Sequence, residues 1–278
     1  MWKPEHRRAA DRRGLRYPSD LTDAEWSLIE PMIPPAKRGG RPRAVNVREV
    51  LNGIFYVLWT GCQWQALPKD LPAKSTVHYY FGLWDWDGTL ERIHHALYVE
   101  VREREGRDAS PTAAIIDSQS AKAAQKGGSS IDPQGFDAGK KVTGRKRHVL
   151  VDPLGLLLSI FVHSANVQDR DGMREVLLQA RRLFPFIERI FADSGYQGPI
   201  AAKTVARIGA WSIEIVKRND AHKFVVLPKR WIVERTLAWI SRNRRLARDF
   251  ERYARTVAAF VRLAMIKIML RRLTRPHH

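Results

Sequence analysis

The stretch FADSGYQG, residues 191–198, places an aspartate directly after an apolar run. The run Ile187–Ala192 is typical of a buried strand, and Asp193 follows it. AAIIDSQS, residues 113–120, repeats the arrangement with Asp117. An aspartate often ends a strand because its side chain hydrogen-bonds nearby backbone amides and starts a turn. Two carboxylates held at the ends of core strands can also share a cation, and both interpretations stay open at this point.

The charge balance indicates a polyanionic partner. The 278 residues include 48 Lys and Arg against 29 Asp and Glu, a formal net charge of +19. The last 58 residues hold 15 of the basic residues and only 3 acidic ones. An excess of this size favours nucleic acid binding.

The apolar composition favours a soluble protein with a substantial core. Hydrophobic residues make up 44% of the chain, and no apolar run approaches the length of a membrane-spanning helix. The first residues lack the apolar segment of a secretory signal, and the single Cys62 excludes a disulfide framework. These features predict a cytoplasmic protein with no membrane partner.

The pattern of apolar residues changes near residue 108 and predicts three segments. Residues 1–16 form a basic arm, 17–107 a helical DNA-binding domain, and 108–278 an α/β domain with a mixed sheet flanked by helices. The pattern of the α/β segment predicts three strands, followed in order by a helix, a strand, a helix, a strand and the final helices. Its polar, glycine-rich part at 122–144 is predicted to be flexible.

Three local motifs refine this division. Thr22 and Glu25 have the spacing of a capping box, and RKRHVLVDPLGLLLSIFVHS, residues 145–164, predicts a β-hairpin. The segment KSTVHYYFGLW, residues 74–84, follows a tight turn and predicts the second helix of a helix-turn-helix-like module. Aromatic residues at helical spacing are also typical of a core helix. The exposed candidates for DNA contact are Lys74, Ser75, Thr76 and His78.

A third carboxylate, Glu234, lies in an apolar helix within RWIVERTLAWISRNRRL, residues 230–246. A charge in such surroundings needs a partner, and Arg230, four residues earlier, is one candidate. A metal ion shared with Asp117 and Asp193 is the other. Three carboxylates suit Mg²⁺ or Mn²⁺, and a pair of such ions supports in-line displacement at phosphorus.

Several motifs together resemble the DDE transposases of bacterial insertion sequences, in the insertion-sequence-five-like group. The motifs are IIDSQS, HSANVQDRDG, FADSGYQG and RWIVERTLAWISRNRRL, with YPSDLTDAEWSLIEPMIP, GGRPRAVNVREVLNGIFYVLWTGCQWQALP and STVHYYFGLW nearer the start. The resemblance covers most of the chain. It implies a ribonuclease H-like fold and cut-and-paste movement of a DNA element.

The resemblance also implies the parts of the site. Asp117, Asp193 and Glu234 would form the catalytic triad and hold two divalent metal ions, Mg²⁺ or Mn²⁺. The DNA partners would be the terminal inverted repeats of the element and a target duplex. The protein would act as a homo-oligomer on DNA in the bacterial cytoplasm, associated with the nucleoid.

The chain departs from the family signature of Tyr, Arg, Glu and Lys around the glutamate. Arg230 and Glu234 match it, whereas Leu227 stands in place of the Tyr and Ser241 in place of the Lys. The candidates for the missing phosphate contact are Arg242, Arg244 and Arg245.

Other polar residues receive weaker interpretations. His163, Asn166 and Asp169 follow the hairpin and are candidates for a supporting role, although helix capping explains Asp169 equally well. His94 and His95 are adjacent on a predicted helix, so they cannot share a face, and both are expected at the surface.

Two rival functions remain open from the sequence. One is a ribonuclease H-like nuclease that cuts without joining, and the other is a catalytically inactive DNA-binding regulator. Strand-transfer products exclude the first, and metal-dependent cleavage that is lost in Asp193→Asn excludes the second.

Overall fold

The computed structural model describes residues 11–36, 39, 42–124, 130–216 and 230–275. The chain divides into two compact units. The helical unit comprises the described residues of Met1–Glu105, Asn243–Arg245 and Arg262–His278. The sheet unit comprises those of Gly106–Arg242 and Leu246–Val261. Most of the predicted basic arm, and Leu227, lie outside the described residues.

The helical unit is built from helices with clear end signals. These are α1 (Asp23–Ile29), α2 (Val47–Thr60), α3 (Lys74–Trp86) and α4 (Thr89–Arg104). The predicted capping box is confirmed at α1, where Thr22 and Glu25 each accept a backbone N–H of the other. The side chain of Asn46 caps α2, which ends at Gly61 in the left-handed conformation.

The core of the helical unit combines α2 with the end of the last helix, α8 (Ala254–Leu273). The part of α8 in this unit buries Leu263, Ala264, Met265, Ile266, Met269 and Leu270. Lys267 Nζ lies 5.4 Å from the ring centroid of Phe55 on α2. A Cβ added at Gly53 would lie 3.1 Å from the side chain of Val77. The glycine therefore allows α2 and α3 to approach closely.

The sheet unit is built around a six-stranded mixed sheet. Its strands are β1 (Ala113–Lys122), β2 (Gly135–Asp137), β3 (Val142–Val151), β4 (Leu157–Ser164), β5 (Arg189–Ala192) and β6 (Ser212–Ile215). The strand order is β2-β3-β1-β5-β6, and β4 also pairs with β3. The helices are α5 (Asp169–Leu183), α6 (Pro199–Gly209) and α7 (Arg230–Ser241), followed by the first residues of α8.

The pairing of β1 determines where Asp117 and Asp193 lie. β1 runs antiparallel to β3 and parallel to β5, with Ala113 opposite Arg189 and Ile115 opposite Phe191. β5 ends at Ala192, whereas β1 continues to Lys122, so the prediction of a strand end at Asp117 is wrong. The parallel register, continued by two residues, nevertheless places Asp193 beside Asp117. The fold therefore brings together two segments that are 76 positions apart in the sequence.

The predicted hairpin is confirmed as β3 and β4, which pair in an antiparallel register. The backbone N–H groups of Leu154 and Leu156 donate to the Asp152 carboxylate in the turn, and Gly155 adopts a φ of 78°. The expectation of a flexible segment at 122–144 is wrong for its described part, because β2 and the start of β3 lie there. Four strands, rather than three, therefore precede α5.

β3 buries a run of four charged or titratable side chains, Arg145, Lys146, Arg147 and His148. Arg147 Nη1 donates to the carbonyl of Leu246 at 2.7 Å, and Arg145 pairs with Asp249 at 3.0 Å. These contacts join the middle of the sheet to the segment that precedes α8.

Candidate functional site

Asp117 and Asp193 lie near each other beside the point where β5 ends. Burial raises the pKa of Asp117 to about 6, and the negative charge of Asp193 contributes in the same direction. Both side chains line a small pocket with Arg230 and the apolar residues Ile115 and Phe191. The structure thus brings the two carboxylates close enough to interact electrostatically.

Local hydrogen bonds orient both carboxylates. The backbone N–H of Ser118 donates to Asp117 Oδ1 at 2.7 Å, and that of Gly195 donates to Asp193 Oδ1 at 2.9 Å. A Cβ on Gly195 would lie 3.0 Å from Asp193 Oδ1 and 3.2 Å from Asp169 Oδ2. The glycine therefore allows the turn to pass between two carboxylates.

Glu234 lies one helical turn after Arg230 on α7, and its side chain is 56% exposed. Arg230 joins it to the aspartate pair: Arg230 Nε lies 3.2 Å from Glu234 Oε1, and Nη2 lies 3.5 Å from Asp193 Oδ2. The expectation of apolar surroundings for Glu234 is wrong, because its carboxylate faces outward. The ion pair weighed from the sequence is present and extends to Asp193.

The donor set is chemically suited to a hard divalent cation. Asp117 and Asp193 offer carboxylate oxygens on one side of the pocket. Burial, and to a smaller extent the charge of Asp193, raises the pKa of Asp117, and a cation between the two carboxylates would favour their ionised forms. Within the described ranges, no set of three His, Cys, Asp or Glu side chains is close enough to hold one ion. The guanidinium of Arg230 lies between Glu234 and the pair, so the triad stays a proposal.

Replacing Asp117 by Asn is expected to stabilise the fold at pH 8 in the presence of a chelator. Below about pH 4 this carboxyl is protonated in folded and unfolded chains alike. As the pH rises to about 6, the folded chain retains a proton that the unfolded chain has released, so stability falls. Asn removes that cost, and the free energy of unfolding should rise by about 1–3 kcal/mol.

Denaturant unfolding measured at pH 4 and pH 8 checks this expectation. The gain should shrink toward pH 4, and Asp171→Asn, an exposed position on α5, should change stability at neither pH. A loss of stability in Asp117→Asn at pH 8 would contradict the raised pKa.

The three supporting candidates have different surroundings. Asp169 is the first residue of α5, and its carboxylate contacts Lys146 Nζ at 2.8 Å and the Ser118 hydroxyl at 2.9 Å. The capping interpretation of Asp169 is wrong, because no side chain caps α5. His163 donates from Nδ1 to the Ser164 carbonyl at 2.7 Å. Asn166 is exposed and bonds only locally, to the hydroxyl of Ser164.

Sequence reasoning missed a buried polar layer behind Asp117. Tyr196 and His148 are fully buried, and the Tyr196 hydroxyl lies 3.0 Å from His148 Nδ1. Lys146 is also buried, and Lys140 Nζ donates to the Ser118 carbonyl at 2.9 Å. The sequence feature that indicated this layer was the run RKRH, residues 145–148, because a half-buried strand normally alternates apolar and polar residues and this run contains no apolar residue.

The candidate DNA-contact residues of α3 lie mainly at the surface. Lys74, Ser75 and His78 are exposed, and Thr76 is partly buried. Two aromatic side chains of the same helix, Tyr79 and Trp86, are 59% and 79% exposed. α3 therefore combines a core face with an accessible aromatic face.

The three arginines proposed for phosphate contact differ in exposure. Arg242 and Arg244 are exposed. Arg245 is buried and donates to the Cys62 carbonyl at 3.1 Å, which gives it a structural role in the helical unit. Ser241, at the position of the signature Lys, accepts a bond from Gln119 Nε2 at 3.2 Å.

The surface expectation for His94 is wrong. His94 is buried on α4, and its burial, together with the nearby charge of Arg262, lowers the pKa to about 3. His95 is partly buried. Adjacent helical positions do not share a face, so His94 and His95 point in different directions. The buried face of α4 includes His94.

The described helices give no candidate for membrane crossing, since none combines the required length and apolar character.

Comparison with known proteins identifies relatives for both parts of the chain. Residues 21–94 match the family model described as "Putative transposase of IS4/5 family", and residues 108–269 match the one described as "Transposase DDE domain". No solved structure matches the chain. The second model covers more than half of the chain and implies a ribonuclease H-like fold, in agreement with the mixed sheet.

Two curated proteins of Burkholderia cepacia are similar to this chain. The "Insertion element IS402 uncharacterized 16.2 kDa protein" is 36% identical over 113 residues, which are 38% of this chain and 76% of that protein. The "Putative transposase for insertion sequence element IS402" is 32% identical over 133 residues, 43% of this chain and 60% of that protein. The resemblance seen in the sequence motifs is confirmed, and the chain belongs to the DDE transposases of the IS4/5 family.

Proposed function

We propose that this chain hydrolyses the phosphodiester bond at each end of an insertion element and joins the freed 3′ ends to target DNA. The observation that carries the proposal is the coupled pair of Asp117 and Asp193, to which Arg230 joins Glu234. A pair of carboxylates close together, in a protein with a net charge of +19, has a clear use in phosphoryl transfer on DNA.

Asp117, Asp193 and Glu234 are the residues that would hold two Mg²⁺ or Mn²⁺ ions. When bound, such ions activate the attacking oxygen and stabilise the leaving oxygen of an in-line displacement. The chain keeps Asp117 and Asp193 oriented through the backbone N–H groups of Ser118 and Gly195. Arg230 offsets the charges of Asp193 and Glu234, and its side chain is 31% exposed. It can therefore also donate to a DNA phosphate.

The proposed reaction uses one kind of displacement twice. In the first step the oxygen of water bonds to phosphorus and the bond from phosphorus to the 3′ oxygen breaks, which leaves a 3′ hydroxyl on the element end. In the second step that hydroxyl attacks a phosphorus of the target strand, and the target 3′ oxygen leaves. No external energy source is needed, because each new phosphodiester replaces one that is broken.

The proposed partners are the terminal inverted repeats of the element and a target duplex. The relative whose printed name assigns it to element IS402 as a transposase supports this choice. Lys74, Ser75, Thr76 and His78 on α3 would contact one DNA segment, and Arg242 and Arg244 offer further exposed cations. A homo-oligomer on DNA would bring two element ends together.

The test uses a supercoiled plasmid that carries the gene with its native flanks, a second plasmid as target, and Mg²⁺ or Mn²⁺. We expect flank-dependent cleavage and joined products that contain sequences from both plasmids. Binding to the flanks should weaken steeply as salt rises. Nicks without joined products would assign a nuclease, and flank binding without any cleavage would assign a regulator; each of these results would overturn strand transfer.

A further inference from the structure

A hydrogen-bonded chain of mostly buried side chains lies directly behind Asp117 and Asp193. Its members are Ser118 on β1, His148 on β3, Asp169 at the start of α5 and Tyr196. Tyr196 closes the short 3₁₀ turn Ser194–Tyr196, which begins immediately after Asp193. The turn that carries one aspartate thus also carries a fully buried phenol.

The phenol of Tyr196 connects the two segments that carry the aspartates. Its oxygen lies 3.0 Å from His148 Nδ1, and it also hydrogen-bonds with the side chain of Ser118. Ser118 directly follows Asp117, and Tyr196 lies three positions after Asp193. A single hydroxyl therefore links Ser118, in the middle of β1, to the turn after β5, apart from any backbone pairing between the two strands.

The other contacts of Ser118 fix the direction of the bonds. The Ser118 hydroxyl donates to Asp169 Oδ1 at 2.9 Å, and Lys140 Nζ donates to the same hydroxyl at 3.3 Å. The remaining lone pair of Ser118 can only accept, so Tyr196 donates to it. The phenol oxygen then accepts from His148 Nδ1. The donor and the acceptor of each hydrogen bond in this network are therefore defined.

The hydrogen-bonded chain of side chains is anchored in rigid parts of the fold. His148 lies opposite Ser118 in the central pairing of β1 with β3. Asp169 is held by the buried ammonium group of Lys146 at 2.8 Å, and Lys146 also donates to the Val167 carbonyl at 2.8 Å. A link that ends on such groups resists displacement, because moving it would leave buried polar atoms unpaired.

We propose that Tyr196 is a positioning residue, whose hydroxyl acts through Ser118 to hold Asp117 and Asp193 at the spacing needed to share divalent cations. This inference rests on the proposed metal-dependent function. Two carboxylates that share cations must be restrained against their mutual repulsion when both are ionised. The Tyr196 link supplies that restraint from the protein side. It leaves the carboxylate oxygens available to ions.

The test compares Mn²⁺ binding by the full chain with that of Tyr196→Phe, measured by isothermal titration calorimetry. Phe keeps the buried ring and removes only the hydroxyl. Loss of a contact that orients metal ligands typically costs tenfold or more in metal affinity, so we expect Mn²⁺ to bind roughly tenfold more weakly. Ser118→Ala should have a similar effect. The double variant should bind no more weakly than Ser118→Ala, because both changes break one link.

Ser159→Ala is the matched control. The buried Ser159 hydroxyl donates to the Val176 carbonyl at 2.8 Å in the same unit, so this change also removes one buried hydrogen bond. It should lower the melting temperature as Tyr196→Phe does, yet bind Mn²⁺ like the unaltered chain. Mn²⁺ affinity in Tyr196→Phe within twofold of the unaltered chain would overturn the positioning role while leaving the proposed function intact. An unaltered chain that binds no Mn²⁺ would instead overturn the metal site, and this role with it.

Discussion

Asp193→Asn is expected to lower DNA cleavage by at least about a thousandfold while leaving binding to the element ends unchanged. The Asn side chain keeps the shape and the oxygen that accepts from Gly195, so the turn should be retained. It loses the negative charge that would hold a cation. Metal-assisted stabilisation of the transition state amounts to several kcal/mol, and about 1.4 kcal/mol corresponds to each factor of ten in rate.

Cleavage rates on the flank-bearing plasmid and mobility-shift binding to the same flanks check this expectation together. Asp171→Asn is the control, because Asp171 is an exposed aspartate on α5; its cleavage rate should match that of the unaltered chain. If Asp193→Asn cleaves within tenfold of the unaltered chain, Asp193 does not belong to the catalytic site. If it fails to bind the ends, the loss of cleavage has another cause.

Arg145→Met is expected to cause the largest loss of stability. Arg145 is 1% exposed and its guanidinium makes four hydrogen bonds: to the Asp249 carboxylate and to the carbonyls of Asp132, Glu251 and Arg252. Met fills a similar volume but leaves a buried charge and three carbonyls without this donor. Removing one partner of a buried ion pair typically costs about 3–5 kcal/mol.

Thermal and denaturant unfolding measure this loss, which corresponds to a fall of roughly 10 °C in melting temperature. Arg189→Met is the matched control, since Arg189 is also a strand residue but is 58% exposed and pairs with Glu214 at 3.8 Å; its effect should be close to zero. The double variant Arg145→Met, Asp249→Leu should lose less than Arg145→Met alone, because no buried charge remains. Equal stability of Arg145→Met and the unaltered chain would contradict the buried pair.

The parts of the fold that follow from local sequence were predictable. The capping box of Thr22 and Glu25 and the turn at Asp152 depend on residues within a few positions of each other, so the sequence shows them directly. The end of β5 was also visible, because its apolar run stops at Asp193. The predicted end of β1 at Asp117 is wrong, because β1 continues to Lys122 as a polar strand paired with β3. The parallel pairing of β1 with β5 required only the usual behaviour of alternating strands and helices.

The parts that depend on distant partners were not predictable. A run such as RKRH normally indicates a solvated surface, and the partners that explain why Arg145 is buried include Asp249, 104 positions later, and the carbonyls of Glu251 and Arg252. β2 has three residues, too few for any alternation to appear. The role of Tyr196 required knowing that Ser118 and His148 lie opposite each other across two strands. Arg230 was weighed as a partner of Glu234, but its reach to Asp193 depends on tertiary contact.

The helical unit is assembled from both ends of the chain. This limits how an insertion element could encode an inhibitor of its own transposition. Early termination of translation is a simple way to obtain a DNA-binding fragment that competes with the full enzyme. Here the described residues from Arg262 onward complete the helical unit, and Lys267 lies over the Phe55 ring. A product that stopped anywhere before Arg262 would expose the apolar face of α2 to water. A competing product of this kind would therefore have to keep the C-terminal part of α8, which early termination removes.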